Sequence, residues 1–114
     1  MSEENKEHSN QLSKHDVEMQ IIEVLKTVYD PEIPVDVYEM GLIYEINIDD
    51  EFNAEIIMTL TSPSCPVAES LPEEVRQKTE GLWSVKSASV KLAWEPPWTK
   101  DMMSEEAKFE LGFM

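Results

Sequence analysis

The chain has 114 residues and a mass of 13.1 kDa, which is the size of one domain with one hydrophobic core. Its 24 acidic and 9 basic residues give a net charge of −15, so we do not expect it to bind the phosphate backbone of nucleic acid. No apolar run is long enough for a membrane span or a secretory signal, which predicts a cytoplasmic protein. We expect residues 1–12 to be a disordered acidic tail and residues 13–114 to form the single domain.

The first ordered element is predicted to be a helix. Ser13 can cap it with Asp16 as the reciprocal partner, and apolar residues at helical spacing continue to Val28. Pro31 and Pro34 follow, and each disfavours helix in the residue before it. The segment after Val28 is therefore predicted to be an ordered turn.

Alternating apolar residues then predict two strands. The alternation covers residues 42–48 and resumes over 54–60 after a polar break, which favours an antiparallel hairpin. A second helix is predicted to follow, with Val67, Leu71 and Val75 on one face and Gly81 at its end. Pro72 lies inside it and allows a kink or a split.

A third strand and a short helix complete the pattern. Alternation from Ala88 to Trp94 predicts the strand, and Ser104 can cap a helix that Gly112 ends. The order predicts an α+β fold: a small two-layer sandwich of helix, strand, strand, helix and strand plus a short C-terminal helix, with a mixed three-stranded sheet.

Cys65 is the first candidate for chemistry, because it is the only cysteine and directly precedes Pro66, a residue favoured at the first helical position. A thiol at a helix N-terminus is stabilised as the thiolate, which binds soft metals and attacks electrophiles. The alternative is a small buried apolar residue. Neither His8 nor His15 is close to Cys65 in sequence, so no catalytic base is evident.

Carboxylates form the second candidate cluster: Asp30, Glu32, Asp36 and Glu39 surround two prolines. Such a cluster suits hard metals or acid–base chemistry. The structural alternative is favoured, because Asp before Pro commonly forms a turn by accepting hydrogen bonds from the following backbone amides.

The third candidate is the segment Trp94, Glu95, Pro96, Pro97 and Trp98, in which prolines hold the backbone extended between two indoles. It can form a partner-binding surface or cover Cys65. Alternatively, Trp94 completes the apolar face of the third strand and Trp98 packs on the edge of the sheet.

Three of these stretches together resemble a known family. The run from Asp30 through Val37 to Gly41-Leu42-Ile43-Tyr44, the run from Thr61 to Pro66, and the run from Trp94 to Trp98 are similar to domain of unknown function 59. That family includes SufT-type iron–sulfur maturation factors, PaaD-like proteins and eukaryotic cytosolic iron–sulfur targeting adaptors. The resemblance covers residues 17–112.

The resemblance implies an α+β fold and a role in assembling iron–sulfur clusters or delivering them to recipient proteins. It matches Cys65 to the reactive cysteine of the family and to its metal ligand, Asp30 and Glu32 to the acidic turn near it, and Thr61 to the threonine at the preceding strand end. It implies contacts with the assembly machinery and with recipient apo-proteins, and a transient cluster or iron rather than a stably bound one.

We therefore expect a non-enzymatic accessory factor. One thiolate cannot complete a cluster site, which predicts a homodimer or a transient complex, and the acidic surface suits a basic partner. Two alternatives remain open: a PaaD-like maturation protein for a phenylacetyl-CoA ring oxygenase, and a thiol enzyme that uses the same cysteine. A plain interaction module, with the Trp94 to Trp98 segment as the contact and Cys65 buried, is a further possibility.

Overall fold

The structure is a computed structural model, and it describes residues 13–29, 33–61 and 70–112. The elements follow the predicted order with one added 3-10 helix: α1 (Lys14–Leu25), β1 (Ile43–Ile48), β2 (Asn53–Met58), α2 (Ser70–Glu80), β3 (Ser87–Leu92), the 3-10 helix (Lys100–Met102) and α3 (Glu105–Glu110). None of the described helices has the length and apolarity needed to cross a membrane.

Helix α1 begins with the predicted capping box. The Ser13 hydroxyl accepts a hydrogen bond from the Asp16 amide at 3.1 Å, and the Asp16 carboxylate accepts one from the Ser13 amide at 3.2 Å. The predicted end at Val28 is wrong, because the helix ends at Leu25. Val28 is still fully buried, since the chain folds back there and the Val28 carbonyl accepts a hydrogen bond from the Val37 amide at 2.8 Å.

The sheet is mixed, as predicted, with strand order β1-β2-β3. Strand β2 pairs antiparallel with β1 and parallel with β3, so that Ile56 lies opposite both Ile46 and Val90. The predicted continuation of the third strand to Trp94 is wrong. Pairing with β2 stops where Met58 meets Leu92, and the Trp94 side chain beyond it is 40% exposed.

The core lies between the sheet and the two longer helices. Buried apolar residues of α1, β2 and α2 contribute eight of its 17 described members: Val17, Ile21, Leu25, Ala54, Ile56, Met58, Leu71 and Val75. The predicted helical and alternating patterns are therefore confirmed where these residues are described. Val67, predicted for the same face of the second helix, lies outside the described residues.

Gly41 permits the backbone contact that positions the C-terminal segment. Its φ is +80°, and a Cβ at this position would lie 2.2 Å from the carbonyl oxygen of Met102. Beside it, the Ser104 amide donates a hydrogen bond to the Glu39 carbonyl at 2.9 Å. The 3-10 helix and the start of α3 are thus held against the turn that precedes β1.

We predict that Gly41→Ala destabilises the protein by about 3 kcal/mol, of which about 1 comes from the left-handed conformation and about 2 from the clash with Met102. Gly112→Ala is the matched control, because Gly112 has the same φ of +80° and no atom of the described chain within 4 Å of an added Cβ. It should lose only about 1 kcal/mol. Urea unfolding of both variants checks this, and equal losses would contradict the importance of the Met102 contact.

Thr79 is a buried polar residue whose replacement should change the stability of the protein. Its side chain is fully buried in α2, and its hydroxyl has no hydrogen-bond partner in the described part of the chain. Thr79→Val keeps the shape and removes the unsatisfied group, so it should raise the free energy of unfolding by about 1 kcal/mol. Thr27→Val, which removes an exposed hydroxyl that donates to the Val24 carbonyl at 2.6 Å, should not stabilise. A destabilised Thr79→Val would show that the hydroxyl has a partner.

Candidate functional site

The structure describes five of the eight predicted site residues: Thr61, Trp94, Pro96, Pro97 and Trp98. The other three lie outside the described residues: Asp30, Glu32 and Cys65.

An open cavity of about 380 Å³ is lined by described residues that flank the two undescribed internal segments in sequence. Ile33, which directly follows the acidic turn, lines it, and so does Thr61, which precedes the segment that carries Cys65. Cys65 is four residues beyond Thr61, so covalent geometry keeps their Cα atoms within about 14 Å. The chain thus leads from one cavity toward both the acidic turn and the cysteine.

The C-terminal segment supplies the remaining walls of this cavity. Trp98, Met103 and Leu111 contribute apolar surface, and Lys100 is the one charged side chain among the described lining residues. A nearby cation favours a thiolate over a thiol and stabilises an anionic ligand. Lys100 was missed at the sequence level, because an exposed lysine next to a polar threonine follows no periodic pattern.

The two tryptophans of the predicted partner segment have different environments. Trp98 is half-buried, and its indole Nε1 donates a hydrogen bond to the Met40 carbonyl at 2.7 Å. Trp94 does not line the cavity and is largely exposed. Between them, the Pro96 carbonyl accepts a hydrogen bond from the Tyr44 hydroxyl at 2.6 Å. Trp98 is therefore an anchor of the segment and a wall of the cavity, whereas Trp94 is available at the surface.

Of the predicted carboxylate cluster, Asp36 acts as a structural residue. Its buried carboxylate accepts hydrogen bonds from the amides of Tyr38 and Glu39, each at 3.0 Å, whereas Asp30, the aspartate before a proline for which this role was predicted, lies outside the described residues. Burial raises the pKa of Asp36 above its ordinary value, and the negative charge of Glu39 adds to that shift, while the backbone hydrogen bonds oppose it. Glu39 itself lies 3.8 Å from the Lys26 ammonium.

Within residues 13–29, 33–61 and 70–112 no three histidine, cysteine, aspartate or glutamate side chains are grouped closely enough to hold a metal ion. His15, the histidine in these ranges, is exposed on α1 and does not line the cavity. The described residues of the cavity therefore offer a mainly apolar surface with one cation.

We predict that Trp98→Phe lowers the free energy of unfolding by about 2 kcal/mol, because it removes the indole donor to Met40 and part of the cavity wall. Trp83→Phe is the matched control, since Trp83 is 80% exposed, and it should change stability by less than about 0.5 kcal/mol. Thermal unfolding of both variants measures the difference. A Trp98 variant as stable as the Trp83 variant would argue against the anchoring role.

The model of a family described as iron–sulfur cluster assembly protein matches residues 18–92 of the chain. A protein of Porphyromonas gingivalis named Fe-S protein maturation auxiliary factor is 50% identical over 97 residues, covering 85% of this chain and 92% of its own. The Bacillus subtilis Fe-S protein maturation auxiliary factor YitW is 42% identical over 92 residues, covering 81% of this chain and 90% of its own.

Two solved structures of similar sequence have the same fold as this chain. The crystal structure of a domain of unknown function 59 from Bacillus anthracis superposes with a TM-score of 0.80 at 36% identity, covering 86% of this chain and 93% of that one. A conserved hypothetical protein from Thermotoga maritima superposes with a TM-score of 0.72 at 35% identity, covering 90% of this chain and 96% of that one. The predicted α+β fold and family are confirmed, and the chain belongs to the iron–sulfur cluster assembly protein family.

Proposed function

We propose that this protein is an auxiliary factor that helps to assemble iron–sulfur clusters or to deliver them to recipient proteins, and that it does so without catalysing a reaction. One observation carries the proposal: in a chain of this family, Thr61 and Ile33 line the same cavity, and they are the described residues next to the cysteine segment and the acidic turn. The names of the relatives from Porphyromonas gingivalis and Bacillus subtilis support it.

Cys65 is the residue proposed to contact the cluster, which is the cargo of the protein. Thiolates are the usual protein ligands of iron–sulfur clusters, and this chain has a single cysteine. Lys100 lines the cavity, and its positive charge complements the negative charge of a thiolate-bound cluster placed there. One thiolate leaves most of the iron coordination open, so the remaining ligands come from a second subunit, a recipient protein or small thiols.

This arrangement suits delivery better than storage. A cluster held by one thiolate of the carrier can transfer to a recipient that supplies several thiolates, since each new thiolate ligand adds an iron–sulfur bond to the recipient. The mainly apolar cavity walls formed by Trp98, Met103 and Leu111 offer such a cargo an apolar contact surface. Asp30 and Glu32 are proposed to adjoin it, because Ile33 follows them directly in the chain.

We predict that Cys65→Ser strongly slows cluster delivery without unfolding the protein. The full chain is incubated anaerobically with ferric and ferrous iron and sulfide, and an apo-ferredoxin is then added. The visible absorption of the re-isolated ferredoxin reports the transfer. Wild type should accelerate transfer over the protein-free mixture, and Cys65→Ser should slow it by about tenfold or more, because even the outer partners of metal ligands are worth about 10- to 100-fold.

Ser64→Ala is the control, since it removes a small polar group next to the cysteine and leaves the thiol in place. It should transfer at the wild-type rate. Equal transfer rates for wild type and Cys65→Ser would rule out the cysteine as the group that binds the cluster during delivery. Turnover of an electrophilic substrate that depends on Cys65, without any effect on transfer, would instead support the thiol enzyme.

A further inference from the structure

A second open groove, of about 580 Å³, adjoins the cavity, because Pro34 lines both. Among the residues that the structure describes, five carboxylates line it: Asp36, Glu39, Glu105, Glu106 and Glu110. Two exposed aromatic side chains line it as well, with Phe109 75% exposed and Tyr29 53% exposed. We call this surface, formed by α3 and the turn before β1, the acidic groove.

The acidic groove carries two local energetic costs. Glu106 and Glu110 are one helical turn apart on α3, and like charges at that spacing destabilise a helix. Phe109, between them in sequence, exposes most of its ring to water. The first-turn position of Glu106 is favourable to its charge, but no described ion pair reaches Glu106 or Glu110, since the one ion pair of a described groove carboxylate is Lys26 with Glu39 at 3.8 Å.

We propose that the acidic groove is a docking site for a cationic segment of a partner protein, in which Lys or Arg residues flank an aromatic or aliphatic side chain. Such a segment relieves both costs at once: its cations face the carboxylates, and its apolar side chain covers Phe109 and Tyr29. The groove volume lies in the range of ordinary binding clefts, so it can hold a few side chains.

Charge argues against two other occupants of the groove, the N-terminal segment of this chain and a second copy of it. Residues 1–12 of the chain contain three glutamates and one lysine, so the N-terminal segment would add negative charge to the groove. A second copy brings a net charge of −15 to the same surface. Only a partner of opposite charge complements the groove. The proposal goes beyond the delivery of clusters, because none of the groove residues is part of the cavity wall except Pro34.

The test is selection from a short random peptide library, displayed on phage, against three immobilised full-length proteins. They are wild type, a groove variant (Glu106→Gln, Phe109→Ser, Glu110→Gln), and a control variant (Glu45→Gln, Glu51→Gln, Trp83→Ser). Both variants lose two exposed carboxylates and one exposed aromatic ring, so they have equal net charge and matched loss of apolar surface. All altered side chains are exposed, and circular dichroism verifies that each protein is folded.

We expect peptides with several Lys or Arg residues around an aromatic or aliphatic residue to be enriched on wild type and on the control variant. Recovery on the groove variant should be lower by about tenfold or more, which corresponds to about 1.4 kcal/mol of binding free energy. Affinity of an enriched peptide should fall as the salt concentration rises, because charge contacts at an exposed groove are screened. Its binding should shift the amide NMR signals of residues 33–39 and 105–110.

Three results would overturn the proposal. They are no enriched class on wild type, enriched peptides without cationic or without apolar residues, and equal recovery on the groove variant. The selection needs neither iron nor Cys65, so its failure leaves the proposed delivery of clusters standing. Conversely, wild-type delivery by Cys65→Ser would reject the role of the cysteine and leave the acidic groove as a docking site.

Discussion

The backbone contact between Gly41 and Met102 is the constraint on which both functional surfaces depend. Because no side chain fits between these two backbones, the turn before β1 and the 3-10 helix can lie in direct contact. Two hydrogen bonds reinforce the contact on either side, one from the Trp98 indole and one from the amide of Ser104. The segment fixed in this way supplies the apolar wall of the cavity and the helix α3 that forms the acidic groove. A loosened Gly41 contact would therefore disturb both surfaces together.

The glutamates of α2 and α3 differ in whether a cationic side chain pairs with them. On α2, Arg76 lies between Glu73 and Glu80 and forms ion pairs with them at 2.6 and 2.5 Å. These hydrogen bonds lower the pKa of Glu73, which shows that its ionised form is stabilised within its own helix. Helix α3 contains a comparable set of glutamates, yet Glu106 and Glu110 have no ion pair in the described part of the chain. Within the described chain, the charges of Glu106 and Glu110 in the acidic groove thus lack an ion-pair partner. The charges of Glu73 and Glu80 on α2 are compensated by Arg76.

Local patterns were sufficient to predict most of the fold. The capping box of α1, the alternation of β2 and the Ser104 cap of α3 depend on residues close in sequence, and each is confirmed. The errors have one cause, namely contacts between distant segments. Val28 continues the helical pattern only because a turn packs it on the core, and Trp94 continues the strand pattern after its neighbour strand has ended. The cavity and the acidic groove could not be predicted for the same reason, because the Gly41 contact that creates them joins residues far apart in the chain.

The cavity and the acidic groove are adjacent surfaces of the protein. Pro34 lines both the cavity and the acidic groove, so a partner segment docked along α3 ends next to the cavity. In the proposed function, a single thiolate leaves a cluster with open coordination, so the ligands that complete it come from another molecule. A groove that selects cationic segments through long-range attraction speeds the encounter with such a partner, and its exposed aromatic rings then provide short-range contact. On this view the negative charge of the protein serves to recruit the recipient, while the cavity, with its one lysine, serves the cargo. The division predicts different behaviour in salt: screening should weaken recruitment and leave the chemistry of the thiolate, which is in direct contact with its cargo, nearly unchanged.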